Sequence, residues 1–413
     1  SIVTTTLSSP FVVKAIGPYG NPAEDQPVTF KVINGGGDFQ GVTQKTVNTD
    51  AQGRAQITLT LGTLAGDSVH IVHAVAQRQD VPDENLEGSP IVFKAGALAK
   101  PAAKLFKVDS TDAQTGEVGL PLSTPIQVRI TDEFQNPIKN HAVKFKVRGQ
   151  GGELEDSSGK GTTKIIQSNA GGYASAIWHM PDTPAIINVD VTATDSQGSP
   201  LDGSPVEFTA NARAGQPHTM LRMTPDSVLV GRVWQPLDQK LKIKITDRLG
   251  NALIGTPVTF KIIEGGGMLN GLVNVTISTS DSGFAEVEWR LGKKSGIAIN
   301  KVDATASVEV NALINFEATG LADKAFRLVP DSSFTTYGFV GGLLPDPIKV
   351  KIVDQYNNGV KNQLVDFEIV PVDTNTGYIN QKGQTTANGT TDNNGFVQVR
   401  WGLGPVVGSQ NNK

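Results

Sequence analysis

The 413-residue chain contains no cysteine. This absence excludes disulfide bonds, thiolate metal sites and cysteine nucleophiles, and it separates the chain from antibody-type domains, whose two sheets are joined by a disulfide. Charge is also scarce, because charged residues make up 18% of the chain, the formal net charge is -4, and no run of lysine or arginine exceeds two residues. Nucleic-acid binding needs a basic stripe that neutralises phosphates, so we expect no nucleic-acid partner.

Long apolar runs are missing as well. No uninterrupted apolar stretch approaches the roughly 18 residues that a membrane-spanning helix needs, and we expect no membrane span in this segment. Glycine (45 residues) and proline (23) are plentiful, while hydrophobic residues make up 38%. This composition is too apolar for a disordered chain and too rich in turn residues for a helical one. It favours many short strands joined by turns.

One short segment recurs four times, and it defines four repeats that we number in chain order. Its phenylalanines are 115, 115 and 107 residues apart, which is the size of one immunoglobulin-like sandwich domain. The four copies read PVTFKV (27–32), AVKFKV (142–147), PVTFKI (257–262) and LVDFEI (364–369).

An alternating apolar strand and a turn precede each copy. The strands lie at 11–15, 126–130, 241–245 and 348–352, and their period of two predicts half-buried strands. The last three lead to an aspartate (Asp132, Asp247 and Asp354), whereas the first repeat has Gly17 there. The turns that follow, at 20–22, 135–137, 250–252 and 357–359, are rich in asparagine, glycine and proline, which predicts a hairpin.

A further strand follows a glycine-rich loop in each repeat. Its apolar positions alternate with largely polar ones, so one face is predicted to be core. The predicted core positions are Ala55, Ile57, Leu59 and Leu61; Ala174, Ala176, Trp178 and Met180; Ala285, Val287, Trp289 and Leu291; and Val397, Val399, Trp401 and Leu403. A closing strand carries Phe93, Phe208 or Phe316 in the first three repeats.

With about seven strands in each repeat, these patterns predict an all-β fold of tandem immunoglobulin-like β-sandwiches in an extended, semi-rigid rod. The predicted domains are 1–99, which lacks its first strand, 100–215, 216–322, and 323–413, which lacks its last strands. Two explanations of the incomplete ends stay open. The chain is a window on a longer array, or a neighbouring chain donates the missing strands.

The residue types that carry chemistry form no recognisable site. We expect the five histidines (His70, His73, His141, His179 and His218) to be ordinary surface or edge residues; His70 and His73 should lie on opposite faces of a strand. Trp178, Trp289 and Trp401 are expected in the core rather than on a sugar-stacking platform. The glycine-rich loops at 35–37 and 265–267 lack the helix and Lys-Ser/Thr of a phosphate loop. We predict no catalytic, cofactor-binding or metal-binding residues, no cofactor, and no enzyme activity.

Calcium is the one ligand left open. Aspartate, asparagine and glutamate cluster near the predicted domain ends, at 80–87, 109–117 and 195–202, and in the turn 392–394. Calcium takes six to eight oxygen ligands, but the same residues are also ordinary turn formers.

The motif Asp50-Ala51-Gln52-Gly53-Arg54-Ala55, followed by an alternating strand and Leu61-Gly62, resembles the bacterial Ig-like domains of the invasin and intimin type (Big-1). With the Gly-Asn-Pro turn and the Pro-Val-Thr-Phe strand, the resemblance covers essentially the whole chain. The second repeat departs from it, with Asn169 for Asp50 and Met180-Pro181 for Leu-Gly. The resemblance implies an extracellular location at a bacterial cell surface and a role in an adhesin stalk or fibre.

Two function classes follow. The first is a non-catalytic structural array that spaces or displays a distal module, with neighbouring Ig-like domains of a longer chain as its partners. The alternative is a direct adhesion module, or a fibre subunit completed by strand donation, whose partners are a surface receptor, a glycan or other copies of the chain.

Overall fold

The regular secondary structure of the computed structural model is almost entirely β-strand, which confirms the expected all-β class. It describes residues 1–81, 83–225, 227, 229–331, 337–370 and 377–408. One 3-10 turn, Asp109–Thr111, interrupts the strands, and no helix in the described ranges is long and apolar enough to cross a membrane. The chain divides into two compact units, Ser1–Ala214 and Gly215–Lys413, each containing two of the repeats.

The first repeat forms a four-stranded and a two-stranded sheet, in the orders β3-β2-β5-β6 and β1-β4. Its strands are β1 (Phe11–Lys14), β2 (Pro27–Asn34), β3 (Gln44–Asn48), β4 (Arg54–Ile57), β5 (Gly66–Ala76) and β6 (Ile91–Ala97). Ile2 adds a parallel bridge to Leu98 beside the larger sheet. Both sheets contribute to one hydrophobic core, which we call the first core.

The second repeat completes the first unit with two five-stranded sheets, β13-β10-β15-β16-β8 and β12-β11-β14-β9-β7. Its strands are β7 (Lys104–Lys107), β8 (Gln114–Glu117), β9 (Ile126–Thr131), β10 (Ala142–Val147), β11 (Glu153–Asp156), β12 (Gly159–Gly161), β13 (Thr163–Gln167), β14 (Tyr173–His179), β15 (Ala185–Thr192) and β16 (Val206–Arg213). The pairing is antiparallel except between β8 and β16. The second core lies between the two sheets.

The third repeat opens the second unit and has the same plan. Its sheets are β18-β26-β25-β20-β22, with β18 parallel to β26, β17-β19-β23 and the pair β21-β24. Its strands are β17 (Thr219–Arg222), β18 (Leu229–Arg232), β19 (Leu241–Thr246), β20 (Pro257–Glu264), β21 (Met268–Leu269), β22 (Asn274–Ser278), β23 (Phe284–Val287), β24 (Trp289–Arg290), β25 (Gly296–Ala306) and β26 (Leu313–Leu321). These sheets enclose the third core.

The fourth repeat has shorter sheets in its described residues, namely β27-β28-β32, β29-β31 and β30-β33. Its strands are β27 (Arg327–Pro330), β28 (Ile348–Val353), β29 (Leu364–Glu368), β30 (Tyr378–Ile379), β31 (Thr386–Thr390), β32 (Phe396–Val399) and β33 (Trp401–Gly402). The fourth core is smaller and is centred on Ile369, Ile379 and Val399.

The cores are formed by the residues that the two-residue period points inwards. Phe30, Phe145 and Phe260 are fully buried, and the alternating strand that follows the glycine-rich loop buries its predicted apolar face in the first three repeats. Neighbouring strands bring these side chains into one layer, since Phe145 pairs with Val191 and Phe260 with Ala304. Burial of this apolar surface is the main stabilising term for each sandwich. The predicted core strands are therefore confirmed in the first three repeats, whereas Trp401 and Leu403 of the fourth are half-buried.

Candidate functional site

The most specific polar geometry in the chain lies in the turns where one repeat meets the one before it. In the second repeat the turn begins at Asp132, which is fully buried. Its Oδ1 accepts the backbone N–H groups of Phe134 and Asn136, both at 2.9 Å. Gln135, between them, has a left-handed backbone with φ of 70°. A short carboxylate that accepts successive backbone N–H groups is the usual way to close such a turn.

The second oxygen of the same carboxylate holds the connection between the two repeats. Asp132 Oδ2 accepts the backbone N–H of Lys100 at 3.1 Å and the side-chain amide of Asn136 at 2.8 Å. Lys100 lies between the first and second cores, and its ammonium reaches Glu133 at 2.8 Å. One buried carboxylate therefore fixes both the turn and the connecting segment.

Asn136 carries the contact across to the first repeat. Its Nδ2 donates to the carbonyl of Thr63 at 2.8 Å, and its Oδ1 accepts the N–H of Ala65 at 2.8 Å. Both hydrogens of the amide group and its oxygen are thus paired, and the side chain is buried. Beside it, Phe134 packs against the first core. We call this set of contacts the first joint.

The second unit repeats the arrangement between the third and fourth repeats. Asp354 accepts the N–H of Asp323 at 2.9 Å. Asn358 donates to the carbonyl of Lys293 and accepts the N–H of Ser295, both at 2.8 Å. We call this the second joint. The same pair of residues, four positions apart, therefore makes the same backbone contacts with the preceding repeat in both units.

The third repeat has the same turn. Asp247 accepts the N–H groups of Leu249, Asn251 and Gly215 at 2.8 to 2.9 Å. Burial raises the pKa of this carboxyl, but its hydrogen bonds, led by the one from Gly215, outweigh that effect and hold the pKa below its ordinary value. The first repeat has Gly17 in place of the aspartate, so its turn has no carboxylate at that position.

The loop on the other side of each joint rests on a buried polar side chain. In the first repeat this residue is His70, whose Nε2 donates to the carbonyl of Leu64 at 3.0 Å. In the third repeat Asn300 occupies the same strand position, and its Oδ1 accepts the N–H of Gly292 at 2.9 Å. Burial lowers the pKa of His70, and the Leu64 carbonyl opposes that shift only partly.

The expectation that all five histidines are surface or edge residues is wrong for His70, whose exposed fraction is 1%. It lies on the inward face of β5 with Val72 and Ala74, where its ring fills space beneath the loop. His73 lies on the other face, as the strand period predicts. The other histidines are half-buried; His179 contacts Glu155 and His218 contacts Glu309 through Nε2, at 2.5 and 3.3 Å.

The tryptophan prediction is confirmed for two repeats. Trp178 and Trp289 are completely buried, and Trp401 is half-buried against the fourth core, so a solvent-facing sugar platform at Trp178 and Trp289 is excluded. The glycine-rich loops contain left-handed residues, such as Gly36 with φ of 69° and Gly266 with φ of 71°. Glycine adopts this conformation without strain, which explains these loops without a phosphate.

Several aspartates in the acidic segments considered for calcium form turn hydrogen bonds or ion pairs instead. Asp195 and Asp392 each close a turn by accepting two backbone N–H groups, and Asp112 forms an ion pair with Lys107. Across the described part of the chain, no group of three or more histidine, aspartate or glutamate residues is arranged to hold a metal ion. Calcium at the domain ends stays the open alternative to the predicted absence of metal-binding residues.

The comparisons with known proteins agree with the family resemblance seen in the sequence. The chain is 26% identical over 399 residues to the inverse autotransporter adhesin YeeJ of Escherichia coli strain K12, covering 92% of this chain and 15% of that protein. The chain is therefore related in sequence to a bacterial surface adhesin, which confirms the expected location at the bacterial cell surface. No family model matches the chain.

Two solved structures match the chain over much of its length. The Escherichia coli adhesin FdeC matches with a TM-score of 0.46 and 12% identity, over 77% of this chain and 94% of that one. Invasin, a bacterial integrin-binding protein, matches with a TM-score of 0.41 and 16% identity, over 96% of this chain and 71% of that one. Because the chain spans only about 15% of YeeJ, nothing that the whole adhesin does passes to it directly.

Proposed function

We propose that this chain is a non-catalytic structural segment of a bacterial surface stalk or extracellular fibre, which spaces or displays a distal module. Its domains are proposed at 1–99, 100–215, 216–322 and 323–413, and its partners are neighbouring Ig-like domains of a longer chain. The observation that carries the proposal is the joint. Asn136 and Asn358 each use both atoms of a side-chain amide to hold the backbone of the preceding repeat.

The energetics of this contact favour a spacer. A buried amide that loses its partners costs about 1–3 kcal/mol, because the groups left behind are unpaired away from water. Each joint also holds the connecting segment through Asp132 or Asp354. A contact that fixes both the connection and the facing loop resists bending more than a flexible linker does. Consecutive domains that keep one orientation are what a spacer requires.

The test is to measure the spread of distances across the first joint. Because the chain has no cysteine, spin labels can be attached to cysteines introduced at the exposed positions Thr43 and Lys160, one in each repeat. We expect Asn136→Ala in the full chain to broaden the pulsed electron paramagnetic resonance distance distribution. The matched control is Asn21→Ala, the same position in the exposed turn of the first repeat, which should leave the distribution unchanged.

An Asn136→Ala distribution as narrow as that of the unmodified chain would contradict the proposed role of the joint. Light scattering and small-angle X-ray scattering over a concentration series test the alternative. A concentration-independent monomer agrees with a spacer. Growth into longer particles of constant width would instead support a fibre subunit completed by strands from other copies.

A further inference from the structure

The two joints differ beneath the loop that receives the asparagine. In the first joint, His70 hydrogen bonds to Leu64, which lies between the two residues that Asn136 contacts. In the second, the supporting residue is Asn300. The strand position is the same, because His70 and Asn300 both lie four residues after the glycine that begins β5 or β25. One joint therefore rests on a titratable side chain and the other does not.

The surroundings of His70 fit the neutral imidazole ring and offer no acceptor for a second proton. Its Nε2 is used by the Leu64 carbonyl, so Nε2 carries the hydrogen. Its Nδ1 is buried and has no hydrogen-bond partner among the described residues. The ring lies so close to Gly35 that a Cβ there would be 2.3 Å from Nδ1. A proton on Nδ1 would thus create a buried charge facing backbone, without an acceptor.

The charged groups on the surrounding elements do not offset such a charge. On β5, Asp67 is exposed and His73 faces the opposite way. On β6, Lys94 is exposed beside Ala95, the residue paired with His70. After β2, the carboxylate of Asp38 accepts the N–H of Gly41.

Across the first joint, the charged side chains pair with one another or accept hydrogen bonds from nearby backbone. Lys100 pairs with Glu133, and the carboxylate of Asp132 accepts hydrogen bonds from its own turn and the connecting segment. The pKa of His70 responds only to burial, which lowers it, and to the Leu64 carbonyl, which raises it. Among the residues that the structure describes, none is placed as a counter-ion for a protonated His70.

Asn300 also supports the loop of its joint, but its side chain does not titrate. Its Oδ1 accepts the N–H of Gly292, and its Nδ2 reaches towards the carbonyl of Ala318 at 3.5 Å. Lys293 and Ser295, the two contacts of Asn358, lie one and three positions after Gly292. The second joint therefore serves as a control within the same chain.

We propose that the first joint is an acid-sensitive contact: protonation of His70 displaces the loop at 62–65 and releases Asn136, while the second joint is unaffected. The inference rests on the joint described under the proposed function and adds its regulation by pH. Histidine is the side chain that ordinarily changes charge between about pH 5 and pH 8.

The direction of the effect follows from linkage. Since the pKa of His70 is lower in the folded chain than its ordinary value of 6.5, the open or unfolded state binds the proton more readily. The stability that neutral His70 provides is fully present above the ordinary pKa. It is lost as the pH falls below that value towards the folded pKa.

The experiment compares both joints in the full chain at about pH 8 and about pH 5. One label pair is Thr43 and Lys160 across the first joint, and the other is Asn274 and Lys382 across the second; all four positions are exposed. We expect the first distance distribution to broaden at the lower pH and the second to stay narrow. In His70→Asn, which carries the residue of the third repeat, the first distribution should stay narrow at both values.

Equal widths for the first pair at the two pH values, or equal acid broadening in His70→Asn, would overturn the proposal. Should His70→Asn fail to fold, an NMR titration of His70 in the unsubstituted chain decides instead, and a folded pKa at or above the ordinary value would refute it. Hydrogen exchange provides a further check, because acid should lower the protection factors at 62–65, taken relative to the intrinsic exchange rate at each pH, before it does so in β2. Simultaneous loss of protection in both would mean that acid unfolds the repeat. An Asn136→Ala variant that is broad at both pH values separates failure of the switch from failure of the joint.

Discussion

The cores of the first and third repeats contain an equivalent cross-strand pair of one larger and one smaller side chain, but the two sizes are exchanged between the strands. In the third repeat, Leu269 lies directly across from Trp289. In the first, the bridge between Asp38 and Thr60 places Phe39 across from Leu59. A small residue faces a large one in both cases, but the large one is on the other strand.

This exchange explains why the first repeat lacks the tryptophan. All four side chains are at most 1% exposed, and Phe39 makes an edge contact with Phe30 at 6.4 Å between ring centroids. Protein interiors are close-packed, so a change of volume at one position has to be matched at its neighbour. What the repeats share is the combined volume of a cross-strand pair rather than a particular residue.

The largest expected effect comes from removing the large partner. Trp289→Ala should lower the free energy of unfolding of the third repeat by about 3–5 kcal/mol, because it leaves a cavity in a fully buried site. Hydrogen exchange of the amides in β23 and β25 reports this repeat separately from the others. Glu288→Ala, at the exposed neighbouring position, is the control and should stay within about 0.5 kcal/mol. A near-neutral Trp289→Ala would show that the ring is not a core residue.

An intermediate effect on the stability of the third repeat is expected when its Leu269–Trp289 pair is replaced by phenylalanine and leucine, the pair of the first repeat. Leu269→Phe alone should cost about 1–3 kcal/mol by overpacking, and Trp289→Leu alone should cost stability by leaving space unfilled. Together they should cost less than the sum of the two, with a favourable coupling of about 0.5–3 kcal/mol in a double-mutant cycle. If the free-energy costs of the two substitutions were strictly additive, the comparison between the repeats would be contradicted, since the two side chains would not share one volume.

The smallest expected effect separates ring volume from hydrogen bonding. The indole N–H of Trp178 donates to the carbonyl of Gly151 at 2.8 Å, whereas Nε1 of Trp289 is buried and has no hydrogen-bond partner in the described part of the chain. Trp178→Phe should therefore cost about 1 kcal/mol more than Trp289→Phe, because only the first substitution removes a hydrogen bond. Both variants lose the same ring volume, so each controls the other in the exchange measurement. Equal costs would mean that the Gly151 contact adds no stability.

The core could be predicted from the sequence because it depends on a local pattern. The alternating strand from Ala285 to Leu291 shows its inward face directly, since successive side chains of a strand point to opposite sides. The same rule correctly separated His70 from His73. It did not predict that His70 is buried, because β5 mixes polar and apolar residues on its inward face and the space under the loop is created by Gly35.

The joints have a weaker signal in the sequence than the core strands, and their contact with the preceding repeat was not predicted. An aspartate followed four positions later by asparagine recurs as Asp132 and Asn136, Asp247 and Asn251, and Asp354 and Asn358. The types and spacing of these residues predict only turns, and each aspartate does close its turn. The contact that Asn136 and Asn358 make with the preceding repeat has no counterpart in local spacing.

The sequence by itself determined that this protein is a series of β-sandwich repeats without cysteine, with tryptophan or leucine in a common core register and turns at regular places. These features follow from the period of a strand and the conformations that glycine, proline and asparagine allow, which act over a few residues. Only the tertiary structure decided that Phe39 compensates for Leu59, that His70 supports a loop, and that Asn136 holds Thr63 and Ala65 from 71 to 73 residues away. The physical reason is that packing and side-chain hydrogen bonds join groups that are close in space, and the order of residues alone does not specify which distant groups will meet.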